Sequence, residues 1–247
     1  MVGIDMCFNI SVAKDSEFLE KRFGAKFVAP APFGKVYHAS AFAYPNLPVI
    51  TNDRRGDIQL YTWGLIPRWT KDQATADKIR ALTANARSDT LFDKASFKDS
   101  AEFRRCLVVA DGFYEWQEVG GKKYPYHIRM PDGGAFAFAG IWDAWKDSGG
   151  NALDTFSIVT TDANPLMEKI HNTKRRMPVI LKPEDEKKWL SNLNKDAAKA
   201  LLKPYEGKLK AFTVSKLITE KGADNNVPAV MEPFDYKELK GEQAKLD

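Results

Sequence analysis

Cysteine is scarce in this chain of 247 residues, which has one at position 7 and one at position 106. Two cysteines cannot form the disulfide framework on which many small secreted proteins depend. The sequence also lacks a charged-then-apolar leader and any apolar run near the ~20 residues of a membrane-spanning helix. These absences indicate a reduced, intracellular protein with no membrane partner, expected in the cytoplasm. Cys106 lies in the apolar run Cys-Leu-Val-Val-Ala and is predicted to be a core residue.

Motifs for metals and nucleotides are missing as well. We find no glycine-rich phosphate loop, zinc-ligand spacing or dinucleotide-binding fingerprint. The prediction is therefore no metal, no nucleotide cofactor and no other cofactor. The formal net charge of +4, from 37 basic and 33 acidic residues, is too small to indicate a nucleic-acid partner without local clustering of charge.

Short β-like runs dominate the middle of the chain. Turn-forming stretches such as 131–134 and 148–151 separate them, and no repeat, long linker or change of composition interrupts the pattern. The pattern predicts a single α+β domain built on a curled, mostly antiparallel, barrel-like β-sheet with flanking helices. The predicted strands are 49–50, 58–63, 106–110, 126–129, 135–139, 156–160 and 178–181.

Apolar spacing and end signals predict three helices, which span 11–25, 88–103 and 183–203. In the first helix Phe18, Leu19 and Phe23 are expected to face inward, and Gly24 is expected to end it. Pro183 suits the first turn of the third helix, because proline has no backbone N–H to leave unpaired there.

A cysteine directly behind an internal methionine, in Met6-Cys7, carries chemical information. If processing makes Cys7 the first residue, its amine and thiol form a 1,2-aminothiol, which condenses with an aldehyde to an imine and then closes a thiazolidine ring. An α-amino group titrates near ~7.7–8.0, so a useful fraction is unprotonated at neutral pH. The alternative is that Cys7 is a small buried hydrophobe at the start of a strand, as most free cysteines are.

Two titratable side chains are candidates for proton transfer. Glu115 lies between two aromatic residues on an apolar strand, where desolvation is expected to raise the pKa of its carboxyl and suit it to general acid–base catalysis. His171 is embedded in polar and basic sequence, whereas His38 and His127 look structural. The alternatives are a surface strand glutamate and a satisfied loop histidine.

Other polar residues suit contact with a phosphate backbone. If their segment is extended, Asn85 and Arg87 share a face, so that one can orient a hydroxyl while the other pairs with a phosphate. Arg68 beside Trp69, and Arg176 in a basic cluster, combine charge with aromatic surface as grooves for single-stranded nucleic acid do. For any one of these pairs alone, a solvated surface is the simpler interpretation.

Five segments follow one another in an informative order. They are Met6-Cys7, Trp63-Gly64-Leu65-Ile66-Pro67, Asn85-Ala86-Arg87-Ser88, Ala110-Asp111-Gly112-Phe113-Tyr114-Glu115-Trp116, and Ile170-His171 with Arg176-Met177-Pro178-Val179-Ile180-Leu181. In this order they resemble the SRAP family of SOS response-associated peptidases, also called abasic-site processing proteins. The resemblance covers roughly residues 7–232.

The resemblance implies a DNA-repair protein that recognises an abasic site in single-stranded DNA and crosslinks to it through an N-terminal cysteine. On this basis Cys7 is the nucleophile, and Asn85 orients it or the opened sugar. Glu115 promotes proton transfer and His171 assists ring opening and imine formation, roles that the two could exchange. Peptidase-like removal of the residues ahead of Cys7 and lyase-like reversal of the crosslink are implied as well.

The implied strand-binding surface consists of Arg68, Trp69, Arg87 and Arg176, and nucleoid association is expected if the protein is bacterial. The expected organisation is an N-terminal extension at 1–6, an SRAP-like domain at 7–236 and a polar tail at 237–247. The extension is interpreted as a wrongly chosen start, an expression remnant or a propeptide.

The chain departs from the family pattern beyond its first residues. Phe8-Asn9 stands where the family usually has Gly-Arg, which removes one expected phosphate-binding arginine. The segment 172–175 lengthens the loop between His171 and Arg176.

Two other functions stay open on the sequence. One is an ordinary thiol peptidase, in which Cys7 attacks peptide carbonyls with His171 as the base and no free amine is needed. The other is a non-covalent single-stranded DNA-binding protein that uses its arginines and tryptophans alone, with binding that weakens as salt rises.

Overall fold

Two β-sheets and six α-helices make up the part of the chain that the computed structural model describes, residues 8–28 and 33–239. The strands are β1 Asn9–Val12, β2 Lys26–Phe27, β3 Val36–Ser40, β4 Asn46–Thr51, β5 Asp57–Trp63, β6 Asn85–Arg87, β7 Arg105–Ala110, β8 Gly112–Val119, β9 Lys122–Arg129, β10 Phe136–Lys146, β11 Ala152–Asp162, β12 Arg176–Pro178, β13 Ile180–Leu181 and β14 Lys210–Thr213. The helices are α1 Ser16–Phe23, α2 Gln73–Arg80, α3 Lys98–Phe103, α4 Pro165–Ile170, α5 Pro183–Trp189 and α6 Lys195–Leu201.

Five strands of the larger sheet close into a ring. They follow one another in the order β11-β10-β7-β4-β5, and β5 pairs with β11 in parallel to complete the closure. The Trp63 ring stacks on Phe156 with 6.0 Å between ring centroids, and its indole N–H donates to the Ala84 carbonyl at 2.8 Å. The Gly64 N–H donates to the Phe156 carbonyl at 2.9 Å. The Trp63-Gly64 segment therefore stabilises the seam where the ring closes.

The smaller sheet positions the candidate site. Its strands run in the order β14-β9-β8-β1-β3, and every pair is antiparallel. β8, which carries Glu115, is thus the central strand, with β1 on one side and β9 on the other. The β1–β8 register pairs Ile10 with Phe113 and Ser11 with Gly112. Continuing that register places Phe8 level with Glu115.

The α+β prediction, with a mostly antiparallel and barrel-like sheet, is confirmed, as is the burial of three predicted core or structural residues. Cys106 and His127 are completely buried, and His38 is 9% exposed. His38 Nε2 lies 2.8 Å from Asn9 Oδ1, which ties β3 to β1. No helix within residues 8–28 and 33–239 is both long and apolar enough to cross a membrane.

The first predicted helix is too long at its start. Asp15 caps α1, since its carboxylate accepts the Phe18 N–H at 3.0 Å, and the first two residues predicted as helical, Ser11 and Val12, belong to β1. Gly24 ends the helix with φ 63°, as predicted. Leu19 is buried and Phe23 is partly buried, but Phe18 is 41% exposed, so its predicted inward position is wrong.

The other two predicted helices are also overextended. The segment ahead of α3 forms hydrogen-bonded turns, such as the Lys94 N–H to the Thr90 carbonyl at 3.1 Å. Pro183 occupies the first turn of α5 as predicted, but the predicted helix then breaks. The break occurs because Asn194 starts a new helix, α6, by accepting the Ala197 N–H at 2.8 Å. Residues 240–247 of the predicted tail lie outside the described residues.

Candidate active site

A cavity of about 390 Å³ opens at β8, between the start of β1 and the loop after α4. Its lining includes Phe8, Glu115, Trp116 and His171. The two side chains that the sequence predicts as proton carriers therefore share one cavity. The residue that follows Cys7 forms part of the wall, whereas Cys7 itself lies outside the described residues.

Glu115 and His171 are buried side by side, each 3% exposed. His171 Nδ1 lies 3.8 Å from Glu115 Oε2 and 2.9 Å from the Arg176 carbonyl oxygen. Because a carbonyl oxygen only accepts hydrogen bonds, Nδ1 carries the hydrogen of this contact and donates a hydrogen bond to the Arg176 carbonyl oxygen. In the neutral ring Nε2 is then the basic atom. The pair thus offers a carboxyl and an imidazole base within one desolvated pocket.

The loop that carries His171 is tied to β8. Asn164 caps α4 by accepting the Met167 N–H at 2.9 Å, and the Gln117 amide donates to the Lys169 carbonyl at 3.2 Å. Asn172 Oδ1 accepts the Glu118 N–H at 3.1 Å, and its amide donates to the Glu118 carbonyl at 2.9 Å. The longer loop noted in the sequence therefore holds His171 against the strand of Glu115.

A buried polar network fixes β1 beside β8. Ser11 Oγ donates to Asp111 Oδ1 at 2.6 Å, and the Ala13 N–H donates to Asp111 Oδ2 at 2.7 Å. Ser11 Oγ also lies 3.3 Å from His127 Nε2 on β9. Ser11, Asp111 and His127 are each no more than 4% exposed. The network sets the position of the chain that leads back from β1 to the cavity wall.

Burial of His127 predicts a loss of stability in acid. Burial, with a smaller contribution from Arg129, lowers the pKa of His127 to about 3. Below the unfolded value of ~6.5 the unfolded chain binds a proton that the folded chain does not, so stability falls as pH drops from ~6.5 towards about 3. The expected contribution is about 1.4 kcal/mol per pH unit. Urea unfolding at pH 7, 6 and 5 measures it.

Replacing His127 by glutamine removes the titrating ring and is expected to flatten this dependence by that amount. The comparison cancels every other group that titrates in the same range. A slope of unfolding free energy against pH that is the same in both proteins would contradict the assignment.

Asn85 and Arg87 lie on β6 and Arg176 lies on β12, and both strands pair with β11. β6 is extended, which is the condition for Asn85 and Arg87 to share a face, and it places Asn85 opposite Ile158 and Arg87 opposite Thr160 of β11. Asn85 is 4% exposed, and it is not among the described residues that line the cavity. Its role and the DNA contacts of the two arginines stay predictions.

The two arginines of this group differ in exposure. The Arg87 side chain is 49% exposed and pairs with Asp89, which raises the pKa of Arg87. The Arg176 side chain is 8% exposed, donates to Asp162 at 3.0 Å and to the Thr160 carbonyl at 2.9 Å, and supports His171 through its own carbonyl oxygen. Arg87 thus faces solvent, whereas Arg176 braces the site from within.

Arg68 and Trp69 form a third group, after the ring-closing segment. The Arg68 side chain is 52% exposed and donates to Asp143 at 2.8 Å, and Trp69 is 48% exposed. Asp143 is buried and also pairs with Arg104 at 3.1 Å. Arg68 can therefore leave Asp143 for another anion without stranding a buried carboxylate.

Phe42, Asn172 and Lys216 are site residues that sequence reasoning missed. Phe42 and Lys216 line the cavity, and Asn172 anchors the His171 loop. Only Asn172 had a sequence signal, as part of the lengthened loop. In the part of the chain that the structure describes, no group of three or more His, Cys, Asp or Glu side chains is placed to hold a metal ion.

Comparison with known proteins places this arrangement in a family. The family model described as SOS response associated peptidase (SRAP) matches residues 6–221. The abasic site processing protein YoqW of Bacillus subtilis is 40% identical over 206 residues, which cover 79% of this chain and 87% of YoqW. The abasic site processing protein HMCES of Gallus gallus is 34% identical over 204 residues, which cover 72% of this chain and 59% of HMCES.

Solved structures agree with this placement. The crystal structure of a Bacteroides thetaiotaomicron protein matches with a TM-score of 0.87 at 36% identity, covering 93% of this chain and 100% of that one. A Bordetella bronchiseptica protein matches with a TM-score of 0.73 at 27% identity, covering 85% of this chain and 100% of that one. The SRAP family model covers more than half of the chain, so this protein belongs to the SOS response associated peptidase (SRAP) family.

Proposed function

We propose that this protein processes abasic sites in single-stranded DNA by covalent capture at Cys7. The observation that carries the proposal is the buried Glu115–His171 pair in a cavity whose wall continues through Phe8. Cys7 is bonded to Phe8, which lines that cavity, and the proposal therefore takes the sugar to be held there. The names of the relatives, abasic site processing proteins, support the same reaction class.

The capture starts with a free amine and an open sugar. Hydrolysis of the Met6–Cys7 peptide bond, which consumes one water, frees the α-amine. An abasic deoxyribose is a cyclic hemiacetal. Ring opening moves the proton of its C1′ hydroxyl to a base and delivers a proton to the ring oxygen, leaving an aldehyde at C1′ and a hydroxyl at C4′.

Two bonds then form at the same carbon. The amine nitrogen adds to C1′, and loss of one water gives the imine. The thiol sulfur adds to that carbon while the thiol proton passes to nitrogen, which closes the thiazolidine. No oxidant or reductant is needed, and the reverse of these steps releases the DNA.

The buried pair supplies the proton transfers. His171 Nε2 accepts the proton of the C1′ hydroxyl, and the Glu115 carboxyl delivers a proton to the ring oxygen, or the two exchange these roles. Proton transfer by positioned side chains contributes ~10²–10⁴-fold to rates of this kind. The Arg176 carbonyl holds the imidazole in the tautomer that leaves Nε2 basic.

The strand-binding surface is proposed to consist mainly of the exposed Arg68, Trp69 and Arg87. Arg176, whose side chain is 8% exposed, borders it, and Asn85 orients the sugar or Cys7. Exposed ion pairs such as Arg87–Asp89 contribute only ~0–1 kcal/mol, so a phosphate can replace the carboxylate. Exposed Trp69 offers a face on which a base can stack.

The test uses protein whose chain begins at Cys7 and single-stranded DNA with one abasic site. A heat-stable adduct on a denaturing gel is the expected result. Cys7→Ser should abolish it, because an oxygen in place of sulfur does not close a thiazolidine. Cys106→Ala, which changes a completely buried thiol, is the matched control and should leave the yield unchanged.

The alternatives give different outcomes. An unchanged yield in Cys7→Ser would overturn covalent capture through the thiol. Cleavage of unrelated peptides by protein that keeps residues 1–6 would favour the thiol peptidase instead. Binding without an adduct and without preference for the lesion would favour a non-covalent single-stranded DNA-binding protein.

A further inference from the structure

The two sides of the cavity differ in chemistry. Phe8 and Phe42 lie on the side of β1 and β3, and their ring centroids are 4.9 Å apart. Lys123 on β9 and Lys216, in a turn that contacts β9, lie on the other side. Because β1 and β9 flank β8 on opposite sides, the aromatic wall faces two lysines across Glu115, and Glu118, the cross-strand neighbour of Lys123, lines the cavity as well.

Phe42 is presented to solvent by a rigid turn. It is 52% exposed, whereas Phe8, which it covers, is 8% exposed. The Ala41 N–H donates to the Phe8 carbonyl at 2.8 Å, so the turn at 41–43 is fixed to the start of β1. An exposed phenyl ring backed by a second ring forms a preorganised stacking surface.

Tyr44, which ends the turn at 41–43, is held in place by a hydrogen bond within the turn and by Arg80. Tyr44 adopts the left-handed conformation, with φ 50°, and its N–H donates to the Ala41 carbonyl at 3.1 Å. The Arg80 guanidinium lies over the Tyr44 ring at 3.8 Å from its centroid. Left-handed backbone at a non-glycine residue is uncommon and persists where the surroundings enforce it. The contacts on both sides of the turn thus fix the direction in which Phe42 projects.

We propose that Phe42, backed by Phe8, stacks the nucleobase next to the abasic site, while Lys216 binds a phosphate of the same nucleotide. The inference rests on the proposed function, since it takes the sugar over Glu115 to be the lesion. A nucleotide matches the two sides of the cavity because it joins a flat π-surface to an anion. The cavity volume of about 390 Å³ lies within the range of small-ligand pockets.

The test measures equilibrium binding of full-length protein to single-stranded DNA that carries a tetrahydrofuran analogue of the abasic site. The analogue has no aldehyde, so binding is separated from covalent capture. Oligonucleotides carry adenine, thymine or a second analogue unit on one side of the lesion at a time. We expect affinity to fall in that order on one side of the lesion only, because a purine stacks over the larger area.

Phe42→Ala is expected to weaken binding by about 5- to 150-fold and to abolish the dependence on the neighbouring base. Phe42→Leu, which keeps apolar bulk without a π-face, should lose the dependence as well. Phe103→Ala, at a 62% exposed phenylalanine on α3 that does not line the cavity, is the matched control. Lys216→Ala should lower the slope of log affinity against log salt by ~0.7.

The outcomes separate this inference from the proposed function. Unchanged affinity and base dependence in Phe42→Ala would overturn the stacking subsite, even if the Cys7 adduct still forms on aldehyde-bearing DNA. Base-dependent binding that Phe42→Ala removes would support the subsite, even if Cys7→Ser leaves an adduct in place. A salt slope that Lys216→Ala does not change would overturn the phosphate contact.

Discussion

Replacing Glu115 by glutamine is expected to slow adduct formation by about 10²- to 10⁴-fold while leaving the fold intact. The glutamine amide matches the carboxyl in size but supplies no titratable proton at the cavity. Glu115 is 3% exposed there, and its Oε2 lies 3.8 Å from His171 Nδ1. Equilibrium binding to the tetrahydrofuran analogue should change far less, because the loss affects a chemical step. Single-turnover kinetics on abasic DNA measure the rate.

Glu186→Gln is the matched control for this experiment. Glu186 is also a buried glutamate, 6% exposed, but it pairs with Arg22 at 2.6 Å and lies on α5, which packs against β10 and β7 and is not among the described elements that line the cavity. Its replacement tests the general cost of losing a buried carboxylate and should leave the rate unchanged. A Glu115→Gln protein that forms the adduct at the rate of the Glu186→Gln protein would remove Glu115 from the mechanism.

Replacing Gly112 by alanine is expected to destabilise the protein by about 3 kcal/mol, the upper end of what overpacking usually costs. A Cβ built at Gly112 would lie 2.1 Å from His127 Nε2 and 2.8 Å from Ser11 Oγ. Both neighbours are held in the buried network with Asp111, so neither can move without breaking hydrogen bonds. Thermal unfolding should shift down by roughly 6–12 °C.

Gly56→Ala is the control for Gly112→Ala, since a Cβ at Gly56 meets nothing within 4 Å and its φ is not left-handed. Its stability should stay within about 0.5 kcal/mol of the parent. In a His127→Ala background, Gly112→Ala should cost less than in the parent, because the ring it strikes is gone. Equal costs in both backgrounds would show that His127 is not the obstacle.

Much of the sheet structure could be predicted from local sequence. The run 58–63 corresponds to β5 and the run 106–110 to β7, each within one residue at either end. The run 106–110 is apolar, the run 58–63 is rich in aromatic and β-branched residues, and both are bounded by polar or turn-forming residues, a pattern that is readable without tertiary information. Closure of the ring was not readable in detail, because the parallel pairing of Thr62 with Thr155 joins residues far apart in the chain.

Helices were predicted less well because several are short and weakly patterned. α2 buries a single residue, Ala76, so its apolar spacing carries little signal. The residue before α2 does give a sequence signal, since Asp72 is a favoured N-cap residue and accepts the Thr75 N–H at 2.8 Å. α4 likewise begins with a cap and a proline, Asn164 followed by Pro165. Attention to capping residues would have located both helices.

The candidate site shows the same division. Glu115 and His171 were identified from motif and local chemistry, and the structure places them in one cavity. The sequence predicts that Arg176 lies on the strand-binding surface, but its side chain is buried. Its hydrogen-bond partners are the neighbouring Asp162 and the Thr160 carbonyl, and the basic cluster in the sequence does not reveal them. No sequence motif marks Phe42 as a site residue. Its position at the cavity depends on contact with the Phe8 ring and on the turn at 41–43, and both are set by tertiary structure.

The most direct test of the account is the mass of the crosslinked peptide. Protein beginning at Cys7 is reacted with abasic single-stranded DNA, digested with protease and nuclease, and analysed by tandem mass spectrometry. The account predicts that the sugar remnant is on Cys7, at the summed mass of peptide and open sugar less one water, and that the link resists borohydride. A remnant on a lysine, or a link that borohydride is needed to trap, would contradict thiazolidine capture at Cys7.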